Sequence, residues 1–178
     1  KPFSEMGTGE AGIAELADGR LYYNSRSHWN AKKPPLRRRE AWSSDGGETW
    51  YDWKIVNILP DGPQDTNYGC FAGLVRLPIV DQDILLYSNC DSPSGRNTGT
   101  VWVSFDGAKT WPLKRILWKG AFQYSSLSVG RHNTSSEGWI YIHFEGRLPQ
   151  SNVGRFNLSW LMEGQLTGNG EVPKIPIE

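Results

Sequence analysis

The sequence predicts an all-β fold built from repeated antiparallel units, and composition, periodicity and an internal repeat support this. The 178 residues include 20 Gly, 11 Pro and 9 Trp, and aromatic residues make up 12% of the chain. Such a chain is rich in turn formers, and no long segment has the periodicity of an amphipathic helix. An eight-residue pattern, S-x-D-x-x-x-T-W, occurs at residues 43–50 and again at 104–111. Self-similarity at a spacing of this size is typical of a repeat architecture.

The repeated octapeptide has the chemistry of a tight hairpin turn. Asp accepts hydrogen bonds from backbone amides further along the turn, and Gly adopts the positive φ that the turn requires. Each copy leads into a strand-like segment, at 51–58 and at 113–118. The Trp that ends each copy is predicted to enter the core and to pin the outer edge of the hairpin. The second copy has Ala108 where the first has Gly47, which predicts an adjusted turn.

Three further segments predict hairpins, because apolar residues alternate on both sides of a turn. In chain order they lie at 12–26 with a turn at 18–19, at 71–89 with a turn at 80–82, and at 126–145 with a turn at 133–138. The octapeptide follows the first two only, and residues 153–161 predict a closing strand. The tail from residue 168 is rich in Gly and Pro and is expected to be loosely ordered. We therefore divide the chain into a repeat domain at 1–165 and a tail at 166–178.

The charge pattern argues against several classes of partner. Lys plus Arg and Asp plus Glu both number 19, so a general attraction to nucleic acid is not indicated. The run of arginines at 37–39 predicts a solvated strand end or core-side arginines. No apolar run approaches the roughly 20 residues of a membrane helix, and the three histidines have no ligand spacing, so we predict no metal and no cofactor. Because the chain begins at Lys1 without Met, we expect a processed, truncated or internal start, and the lack of a visible secretory signal leaves the compartment unknown.

The two cysteines, Cys70 and Cys90, flank the second predicted hairpin. A turn near residue 80 would bring them almost opposite each other. A cross-strand disulfide and a pair of free buried thiols both stay open at this point. Arg76, inside the same hairpin, is interpreted as a structural residue.

The ordered set of motifs resembles the sialidase (neuraminidase) family from about residue 7 to residue 161. The first octapeptide matches the Asp box of that family's β-propellers in full. Four further segments resemble family motifs in the family's order: 9–28 with Glu10 and Arg26, 85–97 with Arg96, the Tyr-Ser-x-Leu motif at 124–127, and the closing segment at 155–161. The resemblance implies a β-propeller of four-stranded antiparallel blades. Three units cannot close a propeller of about 4–8 blades, so the chain is expected to form about three blades of a six-bladed ring.

The resemblance also implies an activity, the retaining hydrolysis of terminal sialic acid by an exo-α-sialidase, with Tyr124 as nucleophile and Glu10 as its base. Sialic acid carries a carboxylate on its anomeric carbon, which would repel a carboxylate nucleophile but not a neutral phenol. Tyrosine has an ordinary pKa of about 10, so it needs a buried carboxylate within hydrogen-bond reach to take its proton. Arg26 and Arg96 are the implied ligands of the substrate carboxylate, which guanidinium groups bind in bidentate fashion. We expect all four side chains to converge at one end of the propeller axis.

Two functional groups of the family have no counterpart in this chain, the first arginine of its triad and its acid/base Asp. Asp45 and Asp106 cannot replace the latter, because Asp-box turns lie on the outer rim. We therefore expect a complete site to need the remaining N-terminal half of the ring or a second copy of the chain. Two alternatives stay open: a non-catalytic Asp-box propeller that binds glycans or proteins, and another Asp-box glycosidase with a carboxylate pair. The combination of two arginines with a Tyr and a Glu favours the sialidase and a sialylated glycan substrate.

Overall fold

The structure is a computed structural model that describes residues 8–27, 35–65 and 69–174. The predicted chain start and the last four residues of the predicted tail lie outside these ranges. The described residues form three antiparallel sheets with one short helix. The helix is far too short to cross a membrane. The predicted all-β class is therefore confirmed.

The three sheets follow one another along the chain. The first contains β1 (Thr8–Glu15), β2 (Leu21–Ser27), β3 (Arg37–Ser43) and β4 (Tyr51–Pro60) in that order. The second contains β5 (Gly73–Arg76), β6 (Leu85–Cys90), β7 (Asn97–Ser104) and β8 (Leu113–Ala121), and β12 (Gln165–Leu166) is added beside β8. The third contains β9 (Ser125–Val129), β10 (Ile140–Glu145) and β11 (Ser151–Phe156), and α1 (Leu158–Met162) follows it.

The three predicted hairpins are β1–β2, β5–β6 and β9–β10, and each turns where the sequence indicated. Gly19 has a φ of 83° in the first turn, and the carboxylate of Asp18 accepts the N–H of Arg20 at 3.0 Å. Asp81 and Asn133 adopt φ values of 54° and 58° in the other two turns. Asp and Asn tolerate this left-handed conformation better than other residues with side chains, which explains their presence there.

Both Asp boxes join the third strand of a sheet to the fourth, as predicted. Asp45 Oδ1 accepts the N–H of Thr49 at 2.9 Å in the β3–β4 turn. Asp106 Oδ1 accepts the N–H of Thr110 at the same distance in the β7–β8 turn. Hydrogen bonds from Thr49 and Ser43 hold the pKa of Asp45 at about 2, so this carboxylate is ionised at neutral pH. The two turns are therefore equivalent in position and in chemistry.

The expectation of an adjusted second turn is wrong, because Ala108 itself adopts the left-handed conformation. Its φ is 72°, and the φ of Gly47 at the same place in the first turn is 96°. A side chain in this conformation costs roughly 1–2 kcal/mol. The methyl group of Ala108 is 1% exposed within the core, and burying it offsets part of that cost.

Two cores hold the sheets together. Between the first and second sheets, the indole of Trp111 packs between Tyr22 and Tyr87, with ring centroids 6.4 Å and 6.2 Å away. Between the second and third sheets, Phe122 stacks on Phe144 at 4.7 Å. The prediction of a core Trp at the end of each octapeptide is confirmed for Trp111, which is 1% exposed. Trp50 is only half-buried, because it packs on the face of the first sheet that points away from the second.

The predicted closing strand is correct only in its first half. Strand β11 ends at Phe156, and the next residues form α1 because the side chain of Asn157 accepts the N–H of Trp160 at 2.8 Å as an N-cap. The beginning of the tail is held in place. β12 pairs with β8, and Asn169 Oδ1 accepts the N–H of Trp111 at 2.8 Å.

Glu40 on β3 generates a prediction about stability and pH. Its side chain is 3% exposed and accepts the hydroxyl of Tyr22 at 2.8 Å. Burial raises the pKa of Glu40 to about 7, against the hydrogen bond from Tyr22 and the charge of Lys54. A pKa raised in the folded state means that this contribution to stability is complete below the unfolded pKa of about 4 and is lost as the pH rises through 7.

We therefore expect Glu40→Gln in the full-length protein to remove a pH dependence. Between pH 5 and pH 8, the difference in unfolding free energy between variant and wild type should shift in favour of the variant by about 1 kcal/mol per pH unit at most. Thermal midpoints measured across this range check it, and Glu48→Gln at an exposed carboxylate is the matched control. A difference that stays constant would contradict a buried carboxyl that takes up a proton on folding.

Candidate active site

Four side chains from all three sheets meet at one end of the assembly, as expected. Glu10 lies on β1, Arg26 on β2, Arg96 directly before β7 and Tyr124 directly before β9. The Nη1 of Arg26 donates to Tyr124 Oη at 2.9 Å and also to Glu10 Oε2. The guanidinium carbon of Arg96 lies 5.3 Å from the centroid of the Tyr124 ring. The site therefore combines a phenol, a carboxylate and two cations.

Arg26 is the centre of this group. It is 5% exposed, and its guanidinium carbon lies 6.0 Å from the Tyr124 ring centroid. Burial alone would lower the pKa of Arg26, but its hydrogen bonds to Glu10 and Tyr124 raise that pKa above the ordinary value. Arg26 is therefore a permanent cation held at the base of the site.

The contact between Glu10 and Tyr124 differs from the expected one. Among the hydrogen bonds of the described residues, the two side chains are bridged by Arg26 Nη1 and are not bonded directly. Glu10 is also less buried than expected, because its side chain is 41% exposed. The physical reason is that one guanidinium attracts both oxygens and occupies the space between them.

Tyr124 is half-buried and held from several sides. Its ring meets Phe71 edge-on at 6.3 Å, and its carbonyl accepts the N–H of Glu145 at 2.9 Å. The residue before it, Gln123, accepts a hydrogen bond from Arg96 Nη1 at 3.3 Å. Gln123 was not predicted from the sequence, because one polar residue beside a tyrosine forms no recognisable pattern. These contacts fix both the phenol and the second arginine relative to the third sheet.

A second charged pair lies beneath the site and was also missed. Arg38 Nη1 donates to Asp61 Oδ1 at 3.0 Å, and the two side chains are 1% and 0% exposed. Burial raises the pKa of Asp61 to about 7, against the charge and hydrogen bond of Arg38. The prediction of a core-side arginine in the run 37–39 is confirmed for Arg38. Asp61 follows a strand end like an ordinary turn residue, so its sequence context carried no signal.

The remaining candidates from the sequence are the two cysteines, Arg76 and the metal-binding residue types. The sulfur atoms of Cys70 and Cys90 are 3.8 Å apart, both residues are buried, and the structure has them as free thiols. Arg76 pairs with Asp83 at 2.8 Å at the turn of the β5–β6 hairpin, in agreement with a structural role. Within residues 8–27, 35–65 and 69–174, no group of three His, Cys, Asp or Glu side chains is arranged to hold a metal ion.

Antiparallel sheets with repeated Asp boxes and a common site at one end are typical of the Asp-box β-propellers. Comparison with known proteins agrees with this class. Residues 5–142 match the BNR repeat-like domain, and the chain belongs to this family. It is 29% identical to a sialidase of Micromonospora viridifaciens, over 97% of this chain and 25% of that protein. It is 28% identical to the anhydrosialidase of Macrobdella decora, over 69% of this chain and 16% of that protein.

The fold is similar to solved structures of the same kind. The intramolecular trans-sialidase of Ruminococcus gnavus superposes with a TM-score of 0.66 and 22% identity, over 87% of this chain and 34% of that one. The three sheets are therefore blades of a β-propeller, as predicted. The chain spans at most a quarter of the length of the curated relatives it matches.

Arg26 in the site and Arg38 beneath it should contribute different amounts to the free energy of unfolding. Arg38→Met leaves the carboxylate of Asp61 buried without its partner, whereas Arg26→Met leaves Glu10, which water already reaches. We expect Arg38→Met to cost about 3–5 kcal/mol and Arg26→Met to cost about 1 kcal/mol. Denaturant unfolding of the two full-length variants measures this difference. Equal losses would contradict the assignment of Arg38 as the buried structural arginine.

Proposed function

We propose that the full-length protein is an exo-α-sialidase that releases terminal sialic acid from glycoconjugates with retention, through Tyr124 as nucleophile. The observation that carries the proposal is the shared contact of Arg26 Nη1 with Tyr124 Oη and Glu10 Oε2. A phenol beside a carboxylate and two guanidinium groups suits a substrate that is itself an anion at the reacting carbon. The relatedness to sialidases over 97% of the chain supports the same reading.

In the proposed reaction, Tyr124 Oη forms a bond to the anomeric carbon while the bond from that carbon to the leaving oxygen breaks. The phenol proton passes to Glu10, so that the nucleophile reacts as a phenolate. Water then attacks the anomeric carbon of the glycosyl-tyrosine while the bond to Tyr124 Oη breaks. The leaving phenolate takes its proton back from Glu10, and the proton of the attacking water passes to the acid group that had protonated the first leaving oxygen. Two inversions at one carbon give overall retention.

Arg26 and Arg96 are proposed to bind the substrate carboxylate. A substrate carboxylate at Arg26 would compete with Glu10 for Nη1. Because the side chain of Glu10 is 41% exposed, this ion pair is partly screened by water and exchanges at small cost. Glu10 released in this way is free to accept the Tyr124 proton, so substrate binding itself would prepare the base.

The proposal concerns the full-length protein, because this chain spans a quarter of the related sialidase. The acid that protonates the leaving group and a third arginine are proposed to come from the remaining N-terminal part of the ring or from a second copy. The sialylated glycan is the proposed substrate. The first sheet leaves Ile13, Trp53 and Ile55 exposed, which is consistent with such a neighbour.

Removal of the nucleophile tests the proposal. We expect Tyr124→Phe in the full-length protein to lower kcat on a fluorogenic sialoside by at least about 10²-fold, because loss of a group that acts in the transition state commonly has effects of this size. Tyr141→Phe, on β10 of the same sheet and outside the site, should leave kcat unchanged.

Two other results would decide between the alternatives. Full-length protein that binds sialylated glycans but cleaves no sialoside would be a non-catalytic propeller. Cleavage of neutral glycosides alone would indicate a carboxylate-pair glycosidase. Because one relative is an anhydrosialidase, the released sugar should also be identified, as free sialic acid or as its anhydro form.

A separate prediction concerns the 178-residue chain by itself. It holds the proposed nucleophile, base and two arginines but no acid for the leaving group, so we expect its sialidase activity to be about 10²–10⁴-fold below that of the full-length protein. The comparison needs equal molar amounts of both proteins after circular dichroism has shown the shorter chain to be folded. Full activity in the folded short chain as a monomer, shown by size-exclusion chromatography, would contradict the need for groups from elsewhere.

A further inference from the structure

Asp61 is a fully buried carboxylate whose two oxygens are both used. It follows β4 on the segment that leads from the first sheet to the second. Oδ1 accepts Arg38 Nη1 at 3.0 Å, and Oδ2 accepts the backbone N–H of Ser27 at 2.9 Å. Its side chain is 0% exposed. A buried carboxylate with this arrangement is held in one orientation, because any other orientation leaves a donor or an oxygen without a partner.

The contact of Asp61 with Ser27 is important because Arg26 directly precedes Ser27 in the chain. Ser27 is the last residue of β2 and directly follows Arg26, the residue that contacts both Tyr124 and Glu10. The pairing of β2 with β1 reaches Ser27, but its pairing with β3 ends at Ser25, so the end of β2 is paired on one side only. The carboxylate of Asp61 supplies a hydrogen bond one residue after the arginine. The direction in which Arg26 leaves the sheet therefore depends on Asp61.

Asp61 is itself clamped by its surroundings. Its N–H donates to the carbonyl of Leu36 at 3.0 Å, and its carbonyl accepts the N–H of Cys70 at 2.8 Å. A Cβ on Gly69 would lie 1.8 Å from the carbonyl oxygen of Asp61 and 2.6 Å from its carboxyl carbon. The chain therefore packs directly against Asp61, and a glycine is required at position 69. The carboxylate is held rigidly enough to orient its neighbours.

We infer that Asp61 is a positioning residue, which holds the backbone at Ser27 and thereby aims the guanidinium of Arg26 at Tyr124 and at the substrate carboxylate. The inference rests on the proposed function. The side-chain oxygens of Asp61 accept from Arg38 and from the backbone of Ser27, and the charge of Arg26 also acts on Asp61, so its effect on the reaction is expected to pass through Arg26.

Asp61→Asn in the full-length protein is the first test. The Asn side chain has the same shape as that of Asp. Its oxygen accepts a hydrogen bond from only one of the two donors, Arg38 Nη1 and the N–H of Ser27, and its NH2 group faces the other donor. We expect kcat/KM on a fluorogenic sialoside to fall by about 10–100-fold, since a displacement of roughly 1 Å at a reacting group has effects of this size. Asp83→Asn is the matched control. Asp83 also accepts an arginine and a backbone N–H, those of Arg76 and Ala17, but both on Oδ1 and at the β5–β6 turn, so an amide oxygen can keep both bonds there.

A double-mutant cycle separates positioning from a general structural role. If Asp61 acts through Arg26, Asp61→Asn should change kcat/KM by less than about threefold in a protein that already carries Arg26→Met. A structural role would cause the same loss in both backgrounds. An equal loss would overturn the inference, and so would an Asp83→Asn loss as large as that of Asp61→Asn.

Two further measurements keep the test decisive. Should Asp61→Asn fail to fold, replacing Ser27 by its α-hydroxy acid analogue removes only the N–H that Asp61 accepts, and the cycle is repeated with that variant.

Should the wild type cleave no sialoside, the proposed function fails. Hydrogen exchange then decides the positioning alone: Asp61→Asn, or the α-hydroxy variant, should speed exchange at the end of β2, whereas Asp83→Asn should not. Unchanged exchange would overturn the inference.

Discussion

The packing of the first sheet on the second around the indole of Trp111 is the contact on which the rest of the structure depends. Tyr22 on one sheet and Tyr87 on the other lie on either side of that ring, at 6.4 Å and 6.2 Å. This aromatic contact sets the angle between the sheets and brings their strand ends to one level. Only with that alignment can Arg26 of the first sheet donate to Tyr124, which leads into the third, at 2.9 Å. A site made from three sheets therefore depends on the core that packs the sheets together, and Tyr87 of that core donates to the carbonyl of Pro60, next to Asp61.

Whether a feature could be predicted from the sequence depends on how far apart in the chain the interacting residues lie. The Asp boxes and the hairpin turns depend on hydrogen bonds within a few residues, such as the bond from Thr49 to Asp45, so local chemistry was enough to place them. Tyr124, Glu10 and the two arginines were predicted as site residues through their resemblance to family motifs in a shared order, and their functional roles stay a prediction. Asp61 could not be found in this way, because its partner Ser27 lies 34 positions earlier in the chain. The helix α1 was missed because one side chain, that of Asn157, decides where the strand ends.

The difference between the two equivalent tryptophans follows from their neighbours. Trp111 has a sheet on either side and is 1% exposed, whereas Trp50 lies on the outer face of the first sheet. The first sheet also has exposed Ile13, Trp53 and Ile55, which are 55%, 47% and 46% exposed. Apolar side chains on several strands of one sheet are costly to leave in water. Similarly, the third sheet has three strands where the others have four or five, and β11 is an open edge among the described residues. Both features are consistent with blades of a larger ring.

The site region contains two ion pairs with opposite physical properties, and this contrast bears on how the site would work. The pair of Arg38 and Asp61 is almost fully excluded from water, so separating it would leave a buried charge and is strongly opposed. The pair of Arg26 and Glu10 has one partner that water reaches, so its exchange for another carboxylate costs little. The backbone N–H of Ser27 joins the two, because it is held by Asp61 and directly follows Arg26. The buried pair of Arg38 and Asp61 thus holds the backbone beside an exchangeable pair. In the proposed reaction Arg26 releases Glu10 and binds a substrate carboxylate without changing direction, and this combination of ion pairs would allow that exchange.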